Sequence, residues 1–308
     1  MKVAFYEHQE EFAGYKVVAW EPGKPLENLH NTAYRITVDY EDTVEFSEKL
    51  RQYLSDPAAA QTRALVVGQW NAEAFESDSS DAASALIAGA ASLPHLHALF
   101  FGDITMEECE ISWLHNVDVS PLMNAYPALT HFTVRGGNGL AFSELRSTQL
   151  THLVVQSGGL SAEVVRQIAT AKLPTLQHLE LYLGTDDYGA SYQQDDLQPI
   201  YQGDNLPALR YLGLRNAYDQ DQIAIAVANA AIISRLDVLD LSLGTLSNEG
   251  GEALCQAVDA LRHLQQIDLH HHYMDNVMVA KIAALGLKAD VSGQEDNDGD
   301  WRYVAIGE

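Results

Sequence analysis

The sequence predicts an α/β solenoid in the shape of a horseshoe, with a parallel sheet on the concave wall and helices on the convex wall. Three observations predict it. A short apolar motif recurs along the chain, the period of apolar residues changes from 2 to about 3.6 between its copies, and the copies lie one repeat length apart. Hydrophobic residues make up 47% of the 308 residues, which is enough for a core that runs through every repeat.

The recurring motif is L-x-x-L-x-L, whose apolar residues are those that a strand turns toward one face. Its seven clear copies begin at Leu96, Leu129, Leu150, Leu176, Leu209, Leu236 and Leu264. Successive copies start 21 to 33 residues apart, and several follow a Leu-Pro or Tyr-Pro pair, which favours a chain break before a strand. Weaker copies lie near residues 36–38 and 65–67. This pattern is typical of the longer class of leucine-rich repeats.

Segments between the copies have helical periodicity. They are residues 44–54, 81–92, 160–172, 221–233, 252–261 and 276–285. Ser161, followed by Glu163, predicts the start of the helix in 160–172. A terminal repeat would expose its core, so both ends need caps. We therefore predict an N-terminal cap at 1–31, the solenoid at 32–285, and a C-terminal cap at 286–308. That second cap would hold an acidic loop at 295–300 and a final edge strand at Tyr303, Val304 and Ile306.

The segments 239–241 and 247–251 resemble ribonuclease-inhibitor-like leucine-rich repeats. More narrowly, the chain resembles an uncharacterised family of bacterial cytoplasmic leucine-rich-repeat proteins. The residues that carry this resemblance are Ile111-Ser112-Trp113, residues 118–122, Val134-Arg135-Gly136-Gly137, and segments 181–189, 211–216 and 302–305. It covers roughly residues 30–308. The resemblance implies a horseshoe fold and a cytoplasmic location. It implies no activity, because that family has none assigned.

The charge and cysteine content narrow the class of partner and the compartment. Eighteen Lys and Arg stand against 43 Asp and Glu, a formal net charge of −25, which argues against nucleic acid and anionic membranes as targets. A protein ligand, in particular a basic one, fits better, although an acidic surface also serves solubility. Two cysteines far apart favour a reducing compartment. The charged N-terminal residues leave no apolar segment for a signal peptide, and no run of 18 apolar residues occurs. We expect a cytoplasmic protein with no membrane contact.

Side chains between the motif leucines are predicted to face the concave wall, where a partner would bind. In the central and C-terminal repeats these positions hold His, Tyr, Arg and acidic residues, and Tyr and Arg are typical of interfaces. The predicted partner-binding residues are His131, Arg135, His152, His178, Glu180, Tyr182, Tyr211, Arg215, Asp240, Asp268 and His270.

His131, His152 and His178 stand at one motif position on consecutive predicted strands, about 4.8 Å apart. Three imidazoles favour a zinc site, but a straight row suits tetrahedral ligation poorly. A pH-sensitive or anion-contacting patch and a row of solvated side chains are the other interpretations. His270 and His272, with Asp268 and Asp275 close in sequence, form a weaker metal candidate against solvated histidines at a strand end. We assign no metal and no cofactor, and keep a metal-dependent hydrolase that uses the histidine row with Glu180 as the alternative function.

The segment 184–205 is the longest predicted break in the repeat pattern. Long insertions often carry function, so we predict a rim loop that contacts the partner, against the alternative of a solvated insertion. Its predicted binding residues are Asp186, Asp187, Tyr188 and Tyr192. No G-x-S-x-G motif, phosphate-binding loop or cysteine beside a histidine occurs. The sequence therefore predicts a non-enzymatic scaffold or regulator, and it leaves the partner, the pathway and the oligomeric state open.

Overall fold

The computed structural model describes residues 5–72, 77–296 and 301–307. It divides into two compact units, the first running to Leu153 and the second from Val154 to Gly307. The part of the predicted N-terminal cap before residue 5 lies outside the described residues, as do positions 297–300 of the predicted acidic loop.

The first unit contains a sheet whose strands follow one another in chain order. They are β1 (Glu11–Phe12), β2 (Tyr15–Ala19), β3 (Thr32–Ile36), β4 (Ala64–Val67), β5 (Ala98–Phe101) and β6 (His131–Arg135). The β1–β2 pair is antiparallel and each later pair is parallel. The helices are α1 (Phe46–Ser55), α2 (Ser80–Gly89) and α3 (Ser120–Ala125), and each packs on the next. Strand β7 (His152–Gln156) contains the boundary between the units.

The second unit repeats the arrangement with longer strands at its centre. Its strands are β8 (His178–Gly184), β9 (Tyr211–Ala217), β10 (Val238–Asp240), β11 (Gln266–Asp268) and β12 (Ala289–Asp290), all parallel and in chain order. Its helices are α4 (Ala162–Thr170), α5 (Gln194–Gln202), α6 (Gln220–Ala228), α7 (Asn248–Gln256), α8 (Val258–Leu261) and α9 (Asn276–Ala284). A parallel strand and a helix per repeat is a solenoid-like arrangement, so the predicted α/β class is confirmed.

The motif leucines form the core, as the spacing predicts. In the second unit Leu179, Leu212 and Leu239 lie in one register across β8, β9 and β10, and each is fully buried. Each such side chain contributes roughly 1.5–3 kcal/mol by leaving water. The six predicted helices are present, and the Ser161 hydroxyl accepts the Val164 amide at 3.3 Å to cap α4 as expected.

Two segments differ from the prediction. The segment 184–205 contains α5, so part of the predicted loop is the helix of its own repeat. Acidic residues and Pro199 conceal this helix in the sequence, yet the Asp196 carboxylate accepts the Gln193 amide at 2.8 Å in a capping box. Residues 301–307, where we expected an edge strand, contain no strand. Among the described residues, no helix is both long and apolar enough to cross a bilayer.

Candidate functional site

The strands β8 to β11 carry polar side chains on the face opposite the leucine core. Successive residues of a strand point to opposite faces, so the residues between the leucines share one surface. We call this surface the second sheet face. Its residues are His178, Glu180, Tyr182, Tyr211, Gly213, Arg215, Asp240, Ser242, Asp268 and His270.

Arg215 lies at the centre of this face and is 4% exposed. Its Nη1 donates to Glu180 Oε2 at 2.8 Å and to the Tyr182 hydroxyl at 2.7 Å. Its Nε donates to Ser242 Oγ at 3.0 Å and lies 3.1 Å from Asp240 Oδ2. The guanidinium also lies over the Tyr182 ring, 4.9 Å from its centroid. Arg215 therefore joins strands β8 and β9 to β10 and the residues that follow it, through hydrogen bonds that fix its orientation.

Asp240 is the second buried charge of the network. Its Oδ2 accepts the Tyr211 hydroxyl at 2.6 Å, and its Oδ1 accepts the Ser242 backbone amide at 3.0 Å. Burial raises the pKa of Asp240 and the negative charge of Asp268 adds to that rise, while Arg215 opposes it. Asp240 is thus a carboxylate with a single buried cationic neighbour and a like charge on the next strand.

Glu180 connects the buried part of the network to its edge. Its Oε1 lies 2.7 Å from His178 Nε2, and the imidazole of His178 stacks on the Tyr211 ring with a centroid separation of 3.9 Å. Burial alone would raise the pKa of Glu180, but the hydrogen bond from His178 and the charge of Arg215 outweigh it and lower that pKa. Glu180 is therefore held ionised between two donors.

Asp268 and His270 form the edge of the face on β11. Asp268 Oδ1 accepts the His270 backbone amide at 3.0 Å and lies 2.7 Å from His270 Nδ1. Burial would raise the pKa of Asp268, but the hydrogen bonds from His270 outweigh it and lower that pKa. The Asp268 and His270 side chains keep 14% and 27% of their surface exposed. An ionised carboxylate is thus accessible at this edge.

The composition of the second sheet face defines the chemistry open to it. Glu180, Asp240 and Asp268 supply carboxylates against the single guanidinium of Arg215. Gly213 keeps the centre open, because a Cβ there would lie 3.1 Å from Glu180 Cγ. A face with this excess of acceptors suits a cationic or hydrogen-bond-donating ligand group.

In the first unit, two of the predicted histidines lie together. The His131 and His152 rings stack with centroids 4.0 Å apart and planes inclined by 11°. Their Nδ1 atoms lie 2.9 Å from the hydroxyls of Thr130 and Thr151, respectively. Among the described residues, no group of three His, Cys, Asp or Glu side chains is arranged to hold a metal ion. The hydrolase alternative stays an untested prediction.

Arg135, predicted as a partner-binding residue, is fully buried in the first unit. Its guanidinium lies over the rings of Phe5 at 4.9 Å and Phe100 at 5.4 Å, donates to the Ile104 carbonyl, and lies 3.9 Å from Asp103. Phe5 belongs to residues 5–17, which we call the N-terminal segment, and this segment covers the face on which Arg135 lies.

Other N-terminal residues extend this cover. Phe12 packs 5.7 Å from the Phe100 ring centroid, and Phe12, Ala13, Tyr15 and Val17 all contact an apolar cluster on β3 to β5. That cluster consists of Ala33, Ala64, Val66, Ala98 and Phe100. These residues occupy the positions that hold polar side chains in the second unit. Their apolar character was the signal in the sequence that this face is covered.

His8 and Asp103 belong to a cluster of charged side chains that the sequence analysis did not predict. His8 Nδ1 lies 3.6 Å from Asp103 Oδ2, and its Nε2 lies 3.3 Å from Glu108 Oε1. Burial would lower the pKa of His8, but hydrogen bonds to these two carboxylates outweigh it and raise that pKa to about 9. The fully buried Asp103 also lies 3.5 Å from Arg35 Nη1. This cluster fixes the N-terminal segment to the rest of the first unit.

The predicted rim residues differ in their exposure. Asp186 and Asp187 are exposed in a short 3-10 turn. Tyr192 is fully buried and its hydroxyl donates to Asp219. Tyr188 is half-buried, and its ring contacts the backbone of Gly307. Asp186 and Asp187 remain accessible to a partner, whereas Tyr192 stabilises the fold.

Comparison with known proteins identifies a homologous structure. A crystal structure of a protein from Bacteroides fragilis matches with a TM-score of 0.82 and 30% sequence identity, over 89% of this chain and 77% of that chain. No protein-family model and no curated protein matches the chain. At this identity and coverage the chain belongs to the same family as the Bacteroides fragilis protein.

Proposed function

We propose that the chain is a non-enzymatic leucine-rich-repeat protein that binds a basic protein partner through the second sheet face and serves as a scaffold or regulator. The observation that carries the proposal is the excess of carboxylates around Arg215. Glu180, Asp240 and Asp268 are fixed by hydrogen bonds before any partner arrives, so binding orders few additional side chains.

The nature of the partner follows from charge. Asp268 is partly exposed, lies beside a second carboxylate at Asp240, and has its pKa lowered, so it presents a negative charge at neutral pH. A Lys or Arg side chain placed there would neutralise like charges on adjacent strands. The net charge of −25 would attract a basic protein at long range and make association sensitive to salt.

The leucine-rich-repeat assignment, the horseshoe curvature and the cytoplasmic location belong to this proposal. The repeat spacing of 21 to 33 residues and the strand–helix alternation in each unit support the first. The low cysteine content supports the third, since Cys109 and Cys255 are both free thiols.

The proposal is tested by capture of partners from native cell extract at low and high salt, followed by affinity measurement with the purified partner. Asp268→Asn removes one accessible charge and nearly preserves shape. We expect it to weaken binding roughly tenfold, about 1.4 kcal/mol, and to flatten the salt dependence. Asp259→Asn on α8 is the matched control, because it makes the same change in net charge at a side chain that is 89% exposed on a helix. Equal effects of the two variants, or no effect of either, would reject the second sheet face as the binding surface.

A further inference from the structure

Residues 301–307 run in an extended course along the ends of the strands of the second unit. We call this segment the C-terminal strap. Its Tyr303 lies beside Tyr273, after β11, and Ala305 lies beside Leu243, after β10. Ile306 then reaches Asn216 at the end of β9, and Gly307 reaches Gly158, after β7. The strap therefore crosses successive repeats in the direction opposite to their order in the chain.

We call the surface beneath the strap, which includes Asn216, Leu243 and Tyr273, the groove. Its residues form hydrogen bonds with the backbone of the strap. The Tyr273 hydroxyl accepts the Tyr303 amide at 2.8 Å and donates to the Tyr303 carbonyl at 3.0 Å. The Asn216 side chain does the same for Ile306, accepting its amide at 2.9 Å and donating to its carbonyl at 2.6 Å. The Leu243 carbonyl accepts the Ala305 amide at 2.8 Å. Paired hydrogen bonds to the backbone N–H and C=O of one residue hold an extended segment largely independently of its sequence.

The residues that form this groove adopt an unusual backbone conformation. Asn216, Leu243 and His271 each lie two residues after the last leucine of their motif copy, and their φ angles are +55°, +68° and +59°. Left-handed backbone is unfavourable for leucine, whereas asparagine and histidine adopt it more readily. In each of these repeats the left-handed residue is one that contacts the strap, His271 through a 3.2 Å contact of Nε2 with the Tyr303 carbonyl. The left-handed turns present the groups that bind the strap.

The groove also selects side chains at two positions. Arg302 Nη1 donates to Asp221 Oδ2 at 2.9 Å and to the Thr245 carbonyl at 2.7 Å, and Ile306 is buried. Trp301 and Tyr303 are instead 79% and 68% exposed. The groove therefore selects an arginine side chain and, four residues later, an aliphatic side chain.

Glycines define the far end of the groove. A Cβ on Gly307 would lie 2.5 Å from the Tyr188 ring, and one on Gly158 would lie 2.2 Å from the Gly307 carbonyl oxygen. A side chain at position 307 would have to displace the Tyr188 ring, so the groove favours glycine after the aliphatic position. The complete pattern that the groove accepts is Arg-x-x-x-aliphatic-Gly.

We propose that this groove is a binding site for an extended segment of a partner protein with that pattern, and that the C-terminal strap is its internal competitor. The strap buries one aliphatic side chain and otherwise depends on backbone hydrogen bonds and one ion pair, which a peptide can reproduce. The strap acts at the high effective concentration of a tethered ligand, so a partner segment binds when the strap is weakened. This site uses none of the residues of the second sheet face, so either proposal can fail without the other.

The test uses the full-length chain and a fluorescently labelled peptide with the sequence of residues 301–307. The double variant Arg302→Ala with Ile306→Ala weakens the strap and leaves the groove intact. We expect this variant to bind the peptide roughly 10²-fold more tightly than the wild-type chain, because the weakened strap no longer competes with the peptide for the groove. A peptide with Glu in place of its Arg and Asp in place of its Ile is the matched control and should not bind. Equal affinity of the wild type and the double variant for the peptide would overturn the proposal.

Groove variants in the same background locate the binding site. Asn216→Gly removes the amide and tolerates the left-handed φ, and Tyr273→Phe removes one hydroxyl. Each should weaken peptide binding about tenfold, the usual effect of losing a pair of hydrogen bonds. Unchanged affinity in both would place the peptide elsewhere and refute the groove.

A second measurement covers the case in which the double variant does not fold. In the wild-type chain, hydrogen exchange of the Ala305 and Ile306 amides reports release of the strap, because both donate to the groove. Excess peptide should accelerate their exchange severalfold, and the control peptide should not. Unaltered exchange at millimolar peptide would overturn the proposal.

Discussion

Arg135 in the first unit and Arg215 in the second occupy the same position, directly after the last apolar residue of their motif copies, and both are buried. Their surroundings differ. Arg135 lies between Phe5 and Phe100 and donates to a backbone carbonyl, whereas Arg215 bonds to Glu180, Tyr182 and Ser242 on its own strands or just after them.

The two units differ in which residues contact the face of the sheet that carries the arginine. In the first unit the N-terminal segment places aromatic rings over an apolar surface, and its His8 is fixed by Asp103 and Glu108. In the second unit the strands themselves supply the partners, so the network is complete yet keeps ionisable groups at its edge. A charged residue directly after the last apolar residue of a motif copy therefore does not by itself indicate a binding surface. Whether the surface around it is open depends on the residues on adjacent strands and on the segments that pack over them.

The largest expected effect separates the two arginines. Arg215→Met leaves Glu180 and Asp240 buried without their shared cation, and we expect the free energy of unfolding to fall by about 3–5 kcal/mol. Arg135→Met keeps the packing between aromatic rings, and Asp103 keeps Arg35 nearby, so we expect a loss of about 1–2 kcal/mol. Urea unfolding of both variants measures the difference. Equal losses would mean that both faces are closed in the same way.

The next prediction concerns the anchor of the N-terminal segment. The folded-state pKa of His8, about 9, lies above its unfolded value, so the stability it contributes is fully present below about pH 6.5 and is lost as pH rises through 9. We expect His8→Gln to cost on the order of 2 kcal/mol at pH 6, with screening by solvent allowed for, and much less at pH 10. Urea unfolding at the two pH values checks it. A cost that does not change with pH would show that His8 is not held as a cation.

A smaller effect tests the apolar cover itself. Phe12→Ala removes a half-buried ring from Phe100 and its cluster, and we expect a loss of about 1–2 kcal/mol at every pH. Val18→Ala, directly after the N-terminal segment, is the control, because Val18 is 37% exposed and should cost less than about 0.5 kcal/mol. Urea unfolding and binding of a hydrophobic dye report the two variants. If both lost the same free energy, the contact with Phe100 would carry no specific stability.

The sequence predicts the parts of this molecule that depend on local periodicity. The motif leucines and the helices between them follow from spacing, because each repeat buries the same positions. The burial of Arg135 cannot be read from its repeat, since it depends on Phe5, which lies far away in the chain. The strap is likewise hidden, because an extended segment held by Asn216 and Tyr273 has no periodic pattern.

The histidine row shows both outcomes of sequence reasoning. The spacing places His131 and His152 side by side, and their rings do stack. The sequence does not show that His178 stacks on Tyr211 and pairs with Glu180, because a motif position specifies a face of the strand and not the neighbour that a ring selects. Side-chain pairing across strands is decided by the residues of the adjacent repeat.

The smallest expected effect tests how rigid the second sheet face is. Gly213→Ala would favour the strand by lowering backbone entropy in the unfolded chain, but its Cβ would lie 3.1 Å from Glu180 Cγ and 3.3 Å from Arg215 Cδ. Because hydrogen bonds fix both side chains, we expect a net loss of about 0.5–1 kcal/mol by urea unfolding. Thr133→Ala, at the matching position in β6 of the first unit, adds no atoms and leaves the Arg135 packing in place. A net gain in stability for Gly213→Ala would mean that Glu180 and Arg215 can move apart at little cost, and the second sheet face would then be an adaptable surface that a partner reshapes on binding.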